Sequence, residues 1–113
     1  MNGATGARLP SVDEVFSSLP RLKVAAFLAG CDEAEFKVIA EATDTSLSAL
    51  SKAATQLEEA AYAKVRKGHI GRRSRTWLAL TDKGRQAFAA HLDALEYLTA
   101  LARDSVNASE QGN

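Results

Sequence analysis

One cysteine, Cys31, leaves no partner for an intrachain disulfide and too few thiols for a Cys-rich metal centre. That fits a reducing compartment. The two histidines, His69 and His91, lack the spacing of zinc ligands, so no metal site is expected and each is expected on the surface. No apolar run is long: the stretch 24–29 is far too short to cross a bilayer. Residues 1–10 lack the apolar core of a signal peptide, so a cytoplasmic location with no membrane contact is expected. There is no glycine-rich phosphate loop and no nucleophile beside an obvious base. The carboxylates are scattered over helix surfaces. Neither an enzyme nor a bound cofactor is expected. Aromatics are also scarce, at 6%, and Phe16, Phe27, Phe36, Phe88, Tyr62, Tyr97 and Trp77 are the core anchors available.

What the sequence does have is apolar content, 46% of 113 residues, enough for one domain with a real core. Alanine supplies much of it, which favours helices. The formal charge is zero, but its distribution is uneven. Residues 1–62 carry five basic and nine acidic side chains. Residues 63–75 carry six basic ones (Lys64, Arg66, Lys67, Arg72, Arg73 and Arg75) and no acid. A short cationic segment on an otherwise acidic chain is a nucleic-acid signal that net charge conceals.

The periodicity predicts a mobile N-terminal tail over 1–10, a domain over 11–104 and a mobile C-terminal tail over 105–113. Ser11 and Glu14 form a capping-box pattern, and Val12, Val15, Phe16 and Leu19 then share one face of a short helix. Pro20 suits the first turn of a second helix, central because Leu22, Ala25, Ala26, Leu28 and Ala29 leave little polar circumference. Gly30 stops it. Asp32 with Glu35 predicts another capping box, opening a helix with inner face Phe36, Ile39, Ala40 and Thr43. Asp44, Thr45 and Ser46 make a polar turn. A fourth helix follows, with Leu47, Leu50, Ala54 and Leu57 inward. The period then changes to alternation around Val65 and around Leu78, which predicts two strands joined by a long basic loop over 68–74. Trp77 is expected to pack across this hairpin onto the helices. Thr81 caps a final helix on which Phe88, Leu92, Leu95, Thr99 and Ala102 recur at four and three residues, widened by Leu98 and Leu101.

Two short helices across a three-residue polar turn make a helix-turn-helix candidate over 35–59. The basic hairpin directly after it is the more specific feature. The run Leu57-Glu58-Glu59-Ala60-Ala61-Tyr62, then Val65, then Thr76-Trp77-Leu78-Ala79-Leu80-Thr81-Asp82-Lys83-Gly84-Arg85, resembles the end of the recognition helix and the strand-to-helix junction of winged-helix transcriptional regulators. The similarity is to small members of the multiple-antibiotic-resistance (MarR) and arsenical-resistance (ArsR) superfamily and spans about 19–101. The resemblance implies a fold that is mainly α with a β-hairpin wing, a winged helix-turn-helix with extra N- and C-terminal helices. It further implies a dimeric DNA-binding regulator, with a small-molecule effector between the dimer helices and the DNA-binding part. The chain departs from the family at Ala61, where glycine is common. Alanine there either carries left-handed strain or changes the turn. It also departs in having Lys52 as the sole cation of the recognition helix.

On this basis Ser46, Ser48, Ala49, Ser51, Lys52, Thr55 and Gln56 are the candidates to face double-stranded DNA from the recognition helix. In the wing, Arg72, Arg73 and Arg75 are the candidates for phosphates or a narrow minor groove, with Lys64, Arg66 and Lys67 adding general attraction. Val12, Val15, Phe16, Leu19, Phe88, Leu92, Leu95, Leu98 and Leu101 are the candidates for an isologous homodimer interface, because terminal apolar helices exceed what one small protomer can bury. A different function stays open beside this one. The acidic faces and the weakly basic helix also suit a winged-helix protein-interaction module that binds no DNA.

Overall fold

Ser18 opens the first long helix. Its backbone is extended and its hydroxyl accepts the Arg21 N–H at 3.2 Å, while Pro20 occupies the first turn, where its missing N–H costs nothing. In the computed structural model, which describes residues 11–111, this helix is α1 (Leu19–Leu28). A 3-10 turn (Glu14–Phe16) precedes it, and β1 (Ala34–Glu35), α2 (Phe36–Thr43), α3 (Leu47–Glu59), β2 (Ala63–Ile70), β3 (Arg73–Leu80) and α4 (Asp82–Gln111) follow. The architecture is the expected one, helical with a β-hairpin. The tail expected over 1–10 lies outside the described residues, as does the end of the one expected over 105–113.

Phe16, Val24, Leu28, Ile39, Leu50, Leu57 and Leu78 are the largest fully buried side chains. They come from the 3-10 turn, α1, α2, α3 and β3, so the three short helices close one core against the sheet. That sheet is antiparallel in the order β1-β3-β2. Its main ladder runs without a break from Ala63↔Leu80 to Ile70↔Arg73. Only Gly71 and Arg72 are left to turn the chain, and Gly71 takes φ +63°. Glycine at the first central position is what a two-residue type II′ hairpin requires. The long loop expected over 68–74 is therefore mostly strand.

Several local expectations are overturned. The capping box at Ser11 and the helix carrying Val12, Val15, Phe16 and Leu19 do not form. Asp13 takes the cap instead, accepting the Val15 N–H at 2.9 Å, and the extended Ser18 ends the turn so that Leu19 belongs to α1. The box at Asp32 and Glu35 is absent too, because residues 34 and 35 pair with β3 and Glu35 makes no side-chain cap bond. Leu47 lies outside the core, and Ala53 is buried in its stead. The final helix continues to Gln111, across most of the segment expected as a tail. His91, expected on the surface, is 3% exposed. Phe16 and Phe88 are buried in the protomer's own core, where their rings meet edge to face at 5.1 Å, so neither is free for a dimer interface.

The junction from α3 to β2 and on to α4 is tightly over-determined. Ala61 takes φ +65°, the left-handed conformation that alanine tolerates poorly. Its carbonyl accepts the Thr81 hydroxyl at 2.7 Å, and the next carbonyl, that of Tyr62, accepts the Thr81 N–H at 3.0 Å. The same Thr81 hydroxyl caps α4 by accepting the Gly84 N–H at 2.9 Å. A methyl on Gly84 would overlap the Tyr62 backbone, so glycine is obligatory there. Arg85 then donates to the carbonyls of Ala29 and Cys31 at the end of α1. The Thr-Asp-Lys-Gly-Arg run is thus a clamp that joins three elements.

Candidate nucleic-acid interface

Ser46 is the N-cap of α3: its hydroxyl accepts the Ala49 N–H at 3.0 Å, and Asp44, at φ 50°, makes the preceding turn tight. With Leu50, Ala53, Ala54 and Leu57 buried, α3 turns Ser48, Ser51, Lys52 and Thr55 to solvent. Ala49 and Gln56 are half-buried along the α1 side, where they line a groove with Pro20, Arg21 and Lys52. The Gln56 carbonyl oxygen accepts from Arg21, whose guanidinium also donates to the Val15 carbonyl. The Thr55 hydroxyl donates to the Ser51 carbonyl at 3.1 Å.

On its other side α3 borders the hairpin. A groove of about 420 Å³ separates them, lined by Phe36, Leu47, Ser51 and Thr55 from the helices and by Lys67 and Thr76 from the strands. The six hairpin cations, adjacent in sequence, are dispersed in space. Arg66 forms a bidentate pair with Glu33, at 2.7 and 2.9 Å, and its guanidinium stacks 4.0 Å from the Trp77 ring centroid. That pairing holds the Glu33 carboxyl below its ordinary range and raises the Arg66 guanidinium. Arg75 meets Glu35 at 3.4 Å and leaves its Nε–H without a partner among the described residues. Lys67 faces the α3 groove, and Lys64 is exposed on the opposite strand face. Arg72 and Arg73 stand exposed at the tip, without an ion pair among the described residues.

The pattern of a capped helix, a basic hairpin and a Thr81 clamp matches the family model described as winged helix DNA-binding domain over residues 20–99. The chain belongs to this family. The family is one of DNA-binding domains, not of enzymes. An uncharacterised protein of Methanocaldococcus jannaschii is 30% identical over 79 residues, covering 70% of this chain and 86% of that one. A transcriptional regulator homologue from Pyrococcus horikoshii superposes with a TM-score of 0.71 at 25% identity, covering 78% and 87%. A MarR-family regulator from Silicibacter pomeroyi shares the fold at TM-score 0.61 and 18% identity, covering 88% and 71%.

In winged helix terms α3 is the recognition helix and the β2–β3 hairpin is the wing. Ser46, Ser48, Ser51, Lys52 and Thr55 do come together on one exposed surface. Ala49 and Gln56 turn toward α1. Sequence reasoning missed β1, because two residues are too short for a periodic signal. It therefore missed that Glu33 and Glu35, beside and within β1, would engage half of the wing's four arginines.

Sequence reasoning also missed a polar knot behind the recognition helix. The Asp13 N–H donates to His91 Nδ1 at 2.9 Å, and the Tyr62 hydroxyl donates to Asp13 Oδ2 at 2.6 Å. Phe16 stacks on Tyr62 at 5.3 Å. The Asp13 carboxylate raises the Tyr62 hydroxyl above its ordinary value by accepting its proton in a hydrogen bond. A groove of about 620 Å³ opens beside this knot, between the 3-10 turn, Tyr62 and Ala87, Ala90 and His91 of α4. Along α4, Leu92, Tyr97, Leu101 and Val106 are exposed, while Leu95 and Leu98 are half-buried. Val12 and Leu19 are exposed as well, and Val15 is half-buried. Among the described residues no group of three or more His, Cys, Asp or Glu side chains could hold a metal ion, and no helix is long and apolar enough to cross a membrane.

Proposed function

We propose that this winged helix domain is a sequence-specific regulator of transcription that binds double-stranded DNA as a homodimer. The recognition helix enters the major groove, and the wing tip rests on the backbone or adjacent minor groove. The supporting observation is one shared surface: the exposed polar face of α3 borders the hairpin that ends in Arg72 and Arg73. The major groove admits one helix of this kind, and arginines beside it supply the sequence-independent part of affinity. The exposed apolar side chains of α4 support the dimer, which would set two recognition helices about one DNA turn apart on a palindromic site. The groove beside Tyr62 and His91 suits a small-molecule effector, since it lies between α4 and the DNA-binding part.

The test is duplex affinity as salt is varied, with the oligomeric state measured on the same sample. Each phosphate contact contributes about 0.9 to the slope of log K against log salt. Arg72→Ala with Arg73→Ala should therefore flatten that slope by up to about 1.8 per protomer, or about 3.6 for the dimer, and weaken all sequences alike. A slope identical to wild type removes the wing tip from the interface. A wild-type protein that ignores duplex DNA even at low salt, yet holds a protein partner, would make the domain a docking module.

A further inference from the structure

Leu47 is the first residue of the recognition helix, and it is 58% exposed. A large aliphatic group so exposed at that position is not needed to fill the inner face, which Leu50, Ala53, Ala54 and Leu57 already occupy. Ser51 and Thr55 follow at four-residue intervals along the same ridge, and all three line the groove facing the wing. Lys52 is the sole cation of α3, and the Gln56 carbonyl is occupied by Arg21. The bidentate amide contact that reads adenine needs that carbonyl free. The reading surface is therefore poor in strong hydrogen bonders and carries one prominent apolar group. In helix-turn-helix docking the N-terminal residues of the recognition helix reach the base edges. In the major groove only one base edge presents an apolar group, the C5-methyl of thymine.

We infer that Leu47 is a specificity-determining residue that packs on the C5-methyl of a thymine in each half-site. This rests on the DNA-binding function proposed above. Ser51 and Thr55 are small enough to let the helix approach closely, and their hydroxyls accept or donate to neighbouring edges. The wing closes the other side of the groove.

The experiment selects tight duplex sites with the whole protein, then replaces each thymine singly by deoxyuridine. That exchange removes the methyl and leaves every hydrogen-bonding group in place. Burying a methyl-sized group is worth roughly fourfold in Kd. The wild type should weaken about fourfold at one thymine per half-site. Leu47→Ala should bind more weakly overall and be indifferent to deoxyuridine there, while Leu47→Met should keep the penalty. Leu47 is more exposed than covered, so both variants should fold, and Leu47→Met should melt at the wild-type temperature. Selected sites without a fixed thymine, no penalty in the wild type, or an equal penalty in Leu47→Ala each overturn the inference. Duplex binding with no methyl dependence overturns it alone. No duplex binding at all removes the DNA-binding function and the inference together.

Discussion

At the scale of single residues, the chain tolerates strain where its neighbours leave no alternative. Ala61 sits at φ +65° where its own N–H and that of Tyr62 close the last turn of α3 on Glu58 and Leu57, and Thr81 holds the carbonyls of Ala61 and Tyr62. The left-handed conformation costs about 1–2 kcal/mol for alanine, and glycine restores about 0.4–1 kcal/mol of unfolded-chain freedom. Ala61→Gly should therefore stabilise by up to about 1 kcal/mol, raising Tm by a few degrees in thermal melts. Gly84→Ala should do the reverse. Its methyl meets backbone rather than a movable side chain, so the loss belongs near the top of the usual overpacking range of about 1–3 kcal/mol. Tyr62 gives a third residue-scale outcome. Its hydroxyl stays protonated to higher pH in the folded chain than its ordinary 10.0, because Asp13 accepts its proton. The folded state binds the extra proton, so this stability is complete below pH 10 and is lost as pH rises through the folded value. Denaturant titrations should show a fall above pH 10 that is shallower in Tyr62→Phe. Equal slopes would show that the Asp13 bond contributes nothing.

At the scale of elements, the wing is less cationic in space than along the chain. Arg66 is held in a fork by Glu33 and pressed on Trp77, whereas Arg75 has a single long contact to Glu35. Glu33→Gln should release Arg66 to a phosphate and steepen the salt slope by about 0.9 per protomer, or about 1.8 for the dimer. Anisotropy titrations against salt measure this, and an unchanged slope would mean that Arg66 gains no phosphate contact when Glu33 lets it go. The elements were legible wherever one local signal dominated: the polar turn of Asp44, Thr45 and Ser46 before an apolar period, Thr81 before α4, and alternation around Val65 and Leu78. They were illegible where a remote partner decided. Asp13 outcompetes Ser11 as a cap while its carboxylate also holds Tyr62 and its N–H donates to His91 of α4, and nothing in the local sequence of either residue announces that meeting. Glu35 reads as a helix-opening acid and instead pairs across to β3. Leu47 obeys the helical period but sits at the first turn, where the core does not reach.

At the scale of the whole molecule, one feature of shape stands apart. A helix of 30 residues is about 45 Å long, and the longest dimension of the described residues is 66 Å. The first half of α4 is anchored by Phe88, His91 and Ala94, which are buried. From 99 onward every described side chain is exposed, including Leu101 and Val106 at 45% and 56%. Leu92, Leu95, Thr99, Ala102 and Val106 keep a spacing of three and four residues, the seam of a helix that packs on another helix. A second copy supplies that helix under the homodimer proposed here, and it would join two half-site readers into one. Linkage of this sort raises effective affinity by about 10²–10⁴ without any new contact to DNA. Leu101→Glu with Val106→Glu should therefore leave the fold and the half-site preference intact, because both residues are solvent-facing in the protomer. It should abolish dimers in sedimentation experiments and weaken a palindromic site by at least about a hundredfold, with little loss on an isolated half-site. A variant that stays dimeric would move the interface away from the C-terminal half of α4, toward Val12 and Leu19.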